Sequence, residues 1–385
     1  MQAPLIGING AGIGGLAAAI GLLRTGFRVR VYEQTAQFAR VGADINLTPN
    51  AVRALDGLGV GEALRKTAAQ PSHRTSRTWD SGEETSRLEM AQTAQTKYGA
   101  PQLTMHRADL LQALEQAVPV DVVMLGKKLV SFDAPDAGQT GRIRLAFADG
   151  THDEVDVLIG ADGIHSVVRT GLFGPESPEF TGVVAYRAVV PAEKLDGVPN
   201  LGAFTKWWGP NPSSQIVTFP LNLGRDIFVF ATTPQDSWTL ESWTAPGDVH
   251  ELRAMYADYH AEARALLEAC DSVLKSALYV RDPLPQWSRG RVALLGDACH
   301  PMMPFMAQGA GMAIEDAVVL SRHLAQAGPH ADATSLAEAL ARYEAARRER
   351  TARVQIGSRG NQWLKEGGNA DWVYEYDAWQ VPLAE

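Results

Sequence analysis

The first apolar positions of the chain form short runs separated by a glycine turn and a helical pattern. An apolar run at 5–8 leads into Gly10-x-Gly12-x-x-Gly15, and an alanine- and leucine-rich helical pattern follows at 17–23. A second apolar run at 29–32 ends on Glu33. The pattern therefore predicts a strand, a glycine turn, a helix and a second strand that ends on an acid.

The next part of the chain alternates between helical and strand periodicity. A turn-rich loop at 42–50 precedes a helical pattern that begins at 51, and we interpret the polar stretch 70–98 as strands and loops. Another helix opens at 105–110. Alternating apolar positions then predict strands at 122–125, 129–132 and 143–147, with a hairpin turn at 149–150.

From about residue 178 to residue 285 the pattern is typical of an inserted antiparallel sheet. Predicted strands with long turns between them lie at 183–190, 204–208, 215–219 and 226–232. Helical patterns follow at 247–258 and 261–268. We expect this sheet to form a platform over a site built by the rest of the chain.

Apolar runs of the buried-strand type flank this insertion and end in a glycine and an acid. They lie at 155–159 and 292–295. A loop rich in Met, Pro and Gly at 302–311 then leads into a helix at 312–326. The arginine-rich pattern at 336–355 predicts a long helix whose charges we expect to coat a solvated face.

Composition excludes several classes of protein. The chain has 385 residues, 45% of them apolar, and a net charge of −9, which argues against nucleic acid or an acidic membrane surface as a partner. Two cysteines are too few for a disulfide framework, so we expect a cytoplasmic location. The strand pattern starts at once, and every apolar run is short, so we expect neither a signal peptide nor a membrane span. The histidines lack ligand spacing, and we expect no metal.

The glycine turn carries the clearest chemistry. Gly10 permits a tight turn, Gly12 lets the backbone approach a pyrophosphate, and Gly15 lets the helix pack closely on the strand. The helix start presents unpaired N–H groups to the diphosphate, and Glu33 accepts hydrogen bonds from a ribose 2′-hydroxyl. This stretch predicts a dinucleotide site, while NAD and FAD both remain open.

Three ordered motifs together resemble one enzyme family. They are the glycine turn with Glu33, the run Asp156-x-x-x-Gly160-Ala161-Asp162-Gly163-x-x-Ser166-x-x-Arg169, and Gly296-Asp297-Ala298-x-His300-Pro301. The combination is similar to the group A FAD-dependent aromatic hydroxylases of the para-hydroxybenzoate hydroxylase type. Within that family the segments around Trp207, Trp287, Met306 and Trp372 are closest to members that hydroxylate a hydroxynicotinate.

The resemblance implies an α/β fold with a Rossmann-like FAD-binding domain of the glutathione reductase type, an inserted antiparallel-sheet substrate domain and a C-terminal helical region. The FAD-binding domain is expected at 1–70, 100–177 and 286–330. The substrate-binding sheet domain is expected at 71–99 and 178–285, and the helical region at 331–385.

The resemblance also assigns candidate residues. Those expected at the cofactor are Gly10, Gly12, Gly14, Gly15, Glu33, Gln34, Arg107, Asp162, Gly296, Asp297, Pro301, Gly309, Ala310, Gly311 and Met312. Those expected to act in catalysis are Tyr186, Ser214, Gln215, Thr218, Pro301 and Phe305. Those expected to contact substrate are Asn46, Arg187, Lys206, Trp207, Phe219, Pro304 and Met306. For Trp207 and its neighbour Trp208, the alternative is that they pack within the sheet. For Lys206 and Arg107, the alternative is that each is a surface charge.

Departures from the family pattern fall where the substrate is expected to bind. Ser214 and Thr218 stand where a histidine and a tyrosine are usual, and Phe305 stands in place of a histidine. Asp44 replaces a usual glycine, and Asn46 replaces a histidine. These differences leave the expected flavin chemistry intact and leave the substrate open.

By resemblance the chain is a monooxygenase that uses FAD, NADH or NADPH as a transient reductant, and O2. It would hydroxylate a hydroxylated pyridine- or benzene-carboxylate through a flavin C4a-hydroperoxide, with decarboxylation where the attacked carbon bears the carboxylate. Alternatives are a salicylate or hydroxybenzoate hydroxylase, a flavin epoxidase or oxidase on a non-aromatic substrate, an NAD-dependent dehydrogenase, and a flavin-binding regulator without catalysis. The expected partner is a small aromatic carboxylate, with no nucleic acid or membrane, and the chain is expected to be a monomer or homodimer.

Overall fold

A computed structural model describes residues 2–38, 44–135, 141–238, 242, 244–366 and 368–383. Residues 42 and 43 of the expected turn-rich loop lie outside the described residues. Within the described part of the chain, no helix is both long enough and apolar enough to cross a membrane.

The described elements alternate between strands and helices along the whole chain. The strands are β1 (Leu5–Asn9), β2 (Arg28–Tyr32), β3 (Ile45–Leu47), β4 (His73–Thr78), β5 (Glu84–Glu89), β6 (Leu103–Met105), β7 (Val123–Met124), β8 (Leu129–Asp133), β9 (Ile143–Phe147), β10 (His152–Val155), β11 (Val157–Gly160), β12 (Glu179–Pro191), β13 (Phe204–Trp208), β14 (Gln215–Leu221), β15 (Asp226–Pro234), β16 (Pro246–Gly247), β17 (Val273–Val280), β18 (Ser288–Arg289) and β19 (Val292–Leu294). The helices are α1 (Ile13–Arg24), α2 (Pro49–Gly57), α3 (Gly61–Arg65), α4 (Ala91–Tyr98), α5 (Arg107–Gln116), α6 (Val167–Phe173), α7 (Val249–Met255), α8 (Ala261–Glu268), α9 (Gly309–Ala327), α10 (Ala333–Arg359) and α11 (Asp371–Tyr374).

A six-stranded sheet carries the first βαβ unit. Its order is β18-β19-β11-β1-β2-β7, and every pair from β19 to β7 is parallel. The strands β1 and β11 are fully buried, as expected for a parallel sheet covered on both faces. Helix α1 packs against α9 on one side of this sheet. The α/β fold class predicted from the sequence is confirmed.

An eight-stranded sheet forms the second layer, in the order β16-β17-β12-β15-β14-β13-β4-β5. Most of its strands come from 179–280, but β4 and β5 join it from an earlier part of the chain through a parallel pairing of β4 with β13. A separate three-stranded sheet, β10-β9-β8, contains the hairpin predicted at 149–150.

The two faces of the eight-stranded sheet meet different partners. On what we call the outer face, Val184, Trp207 and Ile216 share an apolar cluster with Leu252 of α7 and Leu266 of α8. On the inner face, Val183, Ala185 and Leu278 pack against Met303 and Phe305 of the loop that precedes α9. Successive side chains of a strand point to opposite faces, so this division assigns a face to every residue of the sheet.

The structure corrects the prediction for the polar stretch 70–98, because α4 occupies its end. Ala94 and Tyr98, four residues apart, are the buried positions of this helix, and Gly99 ends it with a φ of 77°. Most other positions of α4 are polar, so the sequence shows no helical period of apolar residues there.

The prediction that the charges of the arginine-rich helix coat a solvated face is wrong for Arg347. Arg347 of α10 is fully buried, and it pairs with Glu315 and Asp316 of α9 at 2.8 and 2.7 Å. Arg350 adds a second pair to Glu315 at 2.8 Å. Buried charges are tolerated only when they are paired in this way, so these ion pairs join the two helices.

Candidate active site

The motifs singled out in the sequence follow the carboxyl ends of four neighbouring parallel strands. The glycine turn follows β1, Glu33 follows β2, Asp162 follows β11 and Gly296 follows β19. In open α/β sheets ligands bind at this edge. The fold therefore brings the separate motifs of the chain to one crevice.

The glycine turn leaves room for a ligand at one position and closes on protein at the others. Gly10 has a φ of 107°, and a Cβ at Gly15 would lie 2.0 Å from the Gly10 carbonyl oxygen. Among the described residues, a Cβ at Gly12 would meet no protein atom within 4 Å. Gly12 also caps α1 without any side-chain hydrogen bond, so the first N–H groups of this helix remain available to a phosphate.

Glu33 lies beside this turn. Its carboxylate accepts hydrogen bonds from the Ala11 backbone N–H at 2.9 Å and from the Thr35 backbone N–H at 2.9 Å. Gln34 is exposed. The carboxylate is thus held against the start of α1, where lone pairs remain for a ribose hydroxyl.

Asp297 and Arg107 mark the deepest part of the crevice. The Asp297 side chain is exposed to solvent, yet protein surrounds it so closely that burial raises the pKa of its carboxyl. Asp297 can therefore be reached by a ligand while protein closely surrounds it. Arg107, the first residue of α5, acts on Asp297 through its charge and is itself only partly exposed.

Asp162 is occupied by local contacts. Its carboxylate accepts hydrogen bonds from the Asn9 side-chain amide and the Val167 backbone N–H, both at 2.8 Å, and from the Ser166 hydroxyl at 2.5 Å. This arrangement fixes the start of α6 beside the glycine turn. Asp162, which was predicted to contact the cofactor, therefore stabilises the protein structure that lines the cleft.

The start of α9 faces the same region. The helix begins at Gly309, three residues earlier than predicted, so Gly309, Ala310 and Gly311 form its first turn. Its N-cap, Gln308, makes no capping bond and instead binds the Thr48 hydroxyl at 2.8 Å and the Asn50 amide at 3.0 Å. The N–H groups of this first turn are free to stabilise negative charge on a ligand.

A buried cluster of charges fixes the loop before α9. The His300 Nε2 lies 2.6 Å from an Asp316 oxygen, and Gly296 donates its N–H to the same carboxylate at 3.2 Å. The Pro301 carbonyl accepts a hydrogen bond from Gln355 of α10 at 2.9 Å. Potential metal ligands of Cys299, His300 and Asp316 lie within 4.8 Å of one another, but hydrogen bonds within the cluster account for this closeness.

The inner face of the eight-stranded sheet supplies an apolar wall, and Arg187 lies beside it. Phe204, Phe219 and Phe228 form a cluster, and Phe230 joins it to the cluster that contains Phe305. Arg187 stands opposite Phe230 in the register and donates a hydrogen bond to the Ser276 hydroxyl at 3.1 Å. A partly exposed guanidinium therefore lies beside the aromatic wall.

The structure corrects the placement of three residues that were expected to reach the substrate. Tyr186 and Trp207 lie in the outer-face cluster, and Thr218 lies on the same face because it follows Ile216 by two residues. The alternative of sheet packing holds for Trp207, which stacks on His260. The period of two along each strand separates these side chains from the loop around Phe305.

The structure also corrects the surface position considered for Lys206. This residue of the inner face is 2% exposed, and its amine donates to the Asn361 side-chain oxygen at 2.6 Å. The amine lies 3.7 Å from the centre of the Trp208 ring. Burial and the charges of Arg74 and Lys365 hold the pKa of this amine well below its usual range.

The remaining candidates divide between cleft and core. Pro304 is exposed, and Ser214 closes the turn that precedes β14. Gln215 is buried on the inner face. Within the described ranges, its Oε1 and the buried Nδ2 of Asn46 have no hydrogen-bond partner. Met306 and Met312 differ from expectation, because both side chains pack into a cluster with Val354 and Tyr374 rather than facing the cleft.

Two groups near the cleft were not among the candidate residues: Asp44, which the sequence marked only as a departure from the family pattern, and Phe230. Asp44 precedes β3, is partly exposed, and acts on Arg187, His106 and Arg107 through its charge. In the sequence, Asp44 was noticeable only as an acid at a position where a glycine is usual. Phe230 gave no signal, because a phenylalanine in a strand is ordinary core until the register is known.

Comparison with known proteins agrees with this geometry. Residues 4–357 match the model of the family described as FAD binding domain. The chain is 41% identical over 384 residues to the 6-hydroxynicotinate 3-monooxygenase of Bordetella bronchiseptica, covering 99% of this chain and 97% of that protein. It is 36% identical to the 3-hydroxybenzoate 6-hydroxylase of Klebsiella oxytoca, covering 91% of this chain and 86% of that protein.

Solved structures share the fold. The HpxO protein of Klebsiella pneumoniae, in complex with FAD and uric acid, superposes with a TM-score of 0.81 at 28% identity. The match covers 97% of this chain and 93% of that chain. The cleft, with its open position at Gly12 and its uncapped helix starts, has the donor groups that a flavin dinucleotide requires.

Proposed function

This chain belongs to the family of FAD-dependent aromatic hydroxylases, and on that premise we propose that it hydroxylates a hydroxylated pyridine-carboxylate. Carbon dioxide leaves where the attacked carbon bears the carboxylate. As a flavoprotein aromatic monooxygenase the protein uses FAD, NAD(P)H and O2. Bound FAD supplies the redox chemistry, since it accepts a hydride from NAD(P)H and activates O2.

The residues proposed to hold FAD are those that line the crevice. The backbone around Gly12 binds the diphosphate, Glu33 binds the adenosine ribose, and Asp297 with Arg107 binds the middle of the cofactor. The first turn of α9 stabilises negative charge on the reduced ring. The support for these roles is the open space at Gly12 and the exposure of Asp297 at the bottom of the cleft.

The observation that carries the substrate proposal is the partly exposed guanidinium of Arg187 beside an aromatic wall. Arg187 binds the carboxylate of the substrate, because a guanidinium donates two parallel hydrogen bonds to such a group. Phe219, Phe230 and Phe305 contact the flat ring and exclude water from the reacting carbon. Pro304 borders the entrance.

A hydroxybenzoate is the second candidate substrate. The aromatic wall contacts a benzene ring as well as a pyridine ring, and one relative is named for 3-hydroxybenzoate. The hydroxypyridine is favoured because the relative named for 6-hydroxynicotinate has the higher identity, over nearly the whole of both chains.

The proposed division of labour follows the two sheets. We assign cofactor binding to 1–70, 100–177 and 286–330, substrate binding to 71–99 and 178–285, and support of the flavin loop to 331–385. The pairing of β4 with β13 and the ion pairs of α10 with α9 support these boundaries.

Aerobic NADH oxidation by the FAD-loaded protein tests the proposal. The panel contains 6-hydroxynicotinate, 5-hydroxypicolinate, salicylate, 3-hydroxybenzoate and 4-hydroxybenzoate, each against a blank without substrate. We expect strong stimulation by a hydroxypyridine acid, with product and carbon dioxide identified by mass spectrometry. If only a benzoate stimulates NADH oxidation, the substrate is a hydroxybenzoate rather than a hydroxypyridine. If no compound does, the proposed substrate class is overturned.

A further inference from the structure

Asp44 lies between the cofactor cleft and the substrate wall. It immediately precedes β3, which pairs antiparallel with β6 so that Ile45 stands opposite Met105. The next residues along that partner strand are His106 and Arg107. Asp44 is therefore close to the start of α5 on one side and to Arg187 of the inner sheet face on the other.

The surroundings of Asp44 are those of a group that faces a cleft. The side chain is partly exposed, so a ligand can reach it, yet burial raises the pKa of its carboxyl to about 7. The positive charges that oppose this shift come from Arg187, His106 and Arg107. The effect of burial on the pKa of Asp44 is larger than the opposing effect of these three charges.

The proposed reaction needs a proton acceptor at the ring. A ring hydroxyl donates electron density to the attacked carbon most strongly once it has lost its proton. A general base must lie within hydrogen-bond reach of that proton and have a pKa near the working pH. The substrate carboxylate bound to Arg187 orients the ring relative to any acceptor next to that arginine.

We propose that Asp44 is the general base that accepts the acidic proton of the substrate ring, and this inference rests on the proposed function. The O–H bond of the ring hydroxyl, or the N–H bond of its keto tautomer, breaks as an O–H bond forms on Asp44. The electron pair stays on the ring, and no oxidant or reductant takes part in this step.

Other titratable groups near the cleft are less suited to this role. The His106 Nε2 lies 3.4 Å from an Asp226 oxygen, so it already has a carboxylate partner. Asp297 faces Arg107 on the cofactor side. Lys206 has a lowered pKa but is 2% exposed and held by Asn361.

Substrate binding strengthens Asp44 as a base. The bound carboxylate neutralises Arg187, whose positive charge lowers the pKa of Asp44 in the free protein. A second negative charge nearby raises the pKa further. The acceptor therefore becomes more basic when the proton donor arrives.

The test compares Asp44→Asn and Asp44→Glu with the parent protein, each loaded with FAD. Asp226→Asn is the matched control, since it removes a nearby carboxylate that contacts His106 and Asn222. With 6-hydroxynicotinate as the probe, kcat/KM is measured from about pH 5 to about pH 9.

We expect kcat/KM of the parent to rise with pH through the region where Asp44 loses its proton. Asp44→Asn should lower kcat/KM by about 10²- to 10⁴-fold and abolish that rise, while Asp44→Glu recovers part of the activity. The ultraviolet difference spectrum of bound 6-hydroxynicotinate, without NADH, should report an ionised ring in the parent and a neutral ring in Asp44→Asn.

A stability measurement provides a readout independent of turnover. The folded-state pKa of Asp44 is above its unfolded value, so the folded protein holds this proton between about pH 4 and about pH 7 and loses stability across that window as pH rises. Asp44→Asn should therefore raise Tm relative to the parent at about pH 8 and change it least at about pH 4.

The outcomes separate the two proposals. If the parent oxidises NADH with the probe while Asp44→Asn keeps both its kcat/KM and its pH profile, the role of Asp44 is overturned and the proposed function stands. If the parent turns over no member of the panel, the substrate class and the role of Asp44 both fail. Equal losses in Asp44→Asn and Asp226→Asn would also contradict a specific role for Asp44.

Discussion

At the scale of single residues, Arg187 and Lys206 are cations of the same inner sheet face in opposite circumstances. Arg187 is partly exposed beside the cleft, whereas Lys206 is buried with its amine against the Trp208 ring. The first can receive an anion, and the second is already enclosed by protein. Position along a strand, rather than residue type, separates a binding cation from a structural one.

Arg187→Gln should weaken the binding of substrates that bear a carboxylate. Hydrogen bonds to a charged group contribute about 1.5–3 kcal/mol, so kcat/KM should fall by roughly 10- to 100-fold, mainly through KM. Steady-state kinetics with the active panel compound measures this. Arg225→Gln, at an exposed turn, is the control, and a compound without the carboxylate should lose little in Arg187→Gln.

Lys206 should make stability depend on alkaline pH. Its folded-state pKa is below its unfolded value, so the unfolded chain binds this proton more strongly and stability rises with pH until the unfolded amine also loses its proton. Lys206→Met should flatten this rise between about pH 8 and about pH 10.5, as followed by Tm. An unchanged slope would show that another group causes it.

At the scale of elements, the glycine turn separates requirements of the protein from requirements of the ligand. A Cβ at Gly15 collides with the Gly10 carbonyl, whereas a Cβ at Gly12 points into empty space. The same motif thus contains one glycine that the fold needs and one that only a bound molecule needs.

Gly12→Ala should fold as the parent does but lose FAD. The backbone at Gly12 has a φ of −75°, which alanine adopts without strain, so Tm without FAD should stay close to that of the parent. The flavin content after purification, read from its visible absorbance, should fall sharply. Gly15→Ala is the paired variant, and it should lower Tm even without FAD.

The helix pair α9–α10 depends on Arg347. Arg347→Met leaves Glu315 and Asp316 as buried charges with fewer partners, which should cost about 3–5 kcal/mol of unfolding free energy. Urea unfolding measures this. Arg342→Met, which removes a surface pair with Glu338, should cost no more than about 1 kcal/mol.

At the scale of the whole molecule, the cofactor cleft joins segments that are far apart in the chain. The glycine turn, β2, the start of α5, the strand end before Asp297 and the first turn of α9 all border it. A ligand in this cleft bridges those segments, so its binding energy stabilises the folded state as a unit.

Adding FAD should raise the stability of the whole chain. A ligand at a hundredfold excess over its Kd contributes about 2.7 kcal/mol when it binds only the folded state. Differential scanning calorimetry of apo and FAD-loaded protein should show a higher Tm for the loaded form. Gly12→Ala should show no such increase at the same FAD concentration, which ties the gain to this cleft.

The sequence by itself determined the fold class, the cofactor and the elements around the crevice. Glycine spacing, the acid after β2 and the period of apolar runs are local properties, and they express the backbone requirements of a strand–turn–helix unit directly. The glycine turn and Glu33 therefore lie where the pattern predicts them. The polar helix α4 was not predicted, because its few buried positions leave almost no helical pattern of apolar residues in the sequence.

Only the tertiary structure decided which side chains share the substrate side. Strand register placed Tyr186, Trp207 and Thr218 on the outer face and left Arg187 with Phe230 on the inner one. Burial made Arg347, which was expected on a solvated face, a paired core group, and it enclosed Lys206, which was expected at the substrate, against Asn361. The sequence marked Asp44 as a departure at the expected substrate site, and only folding brought it to Arg187. Such pairings join residues distant in the chain, and a one-residue shift in register reverses them, so no local pattern encodes them.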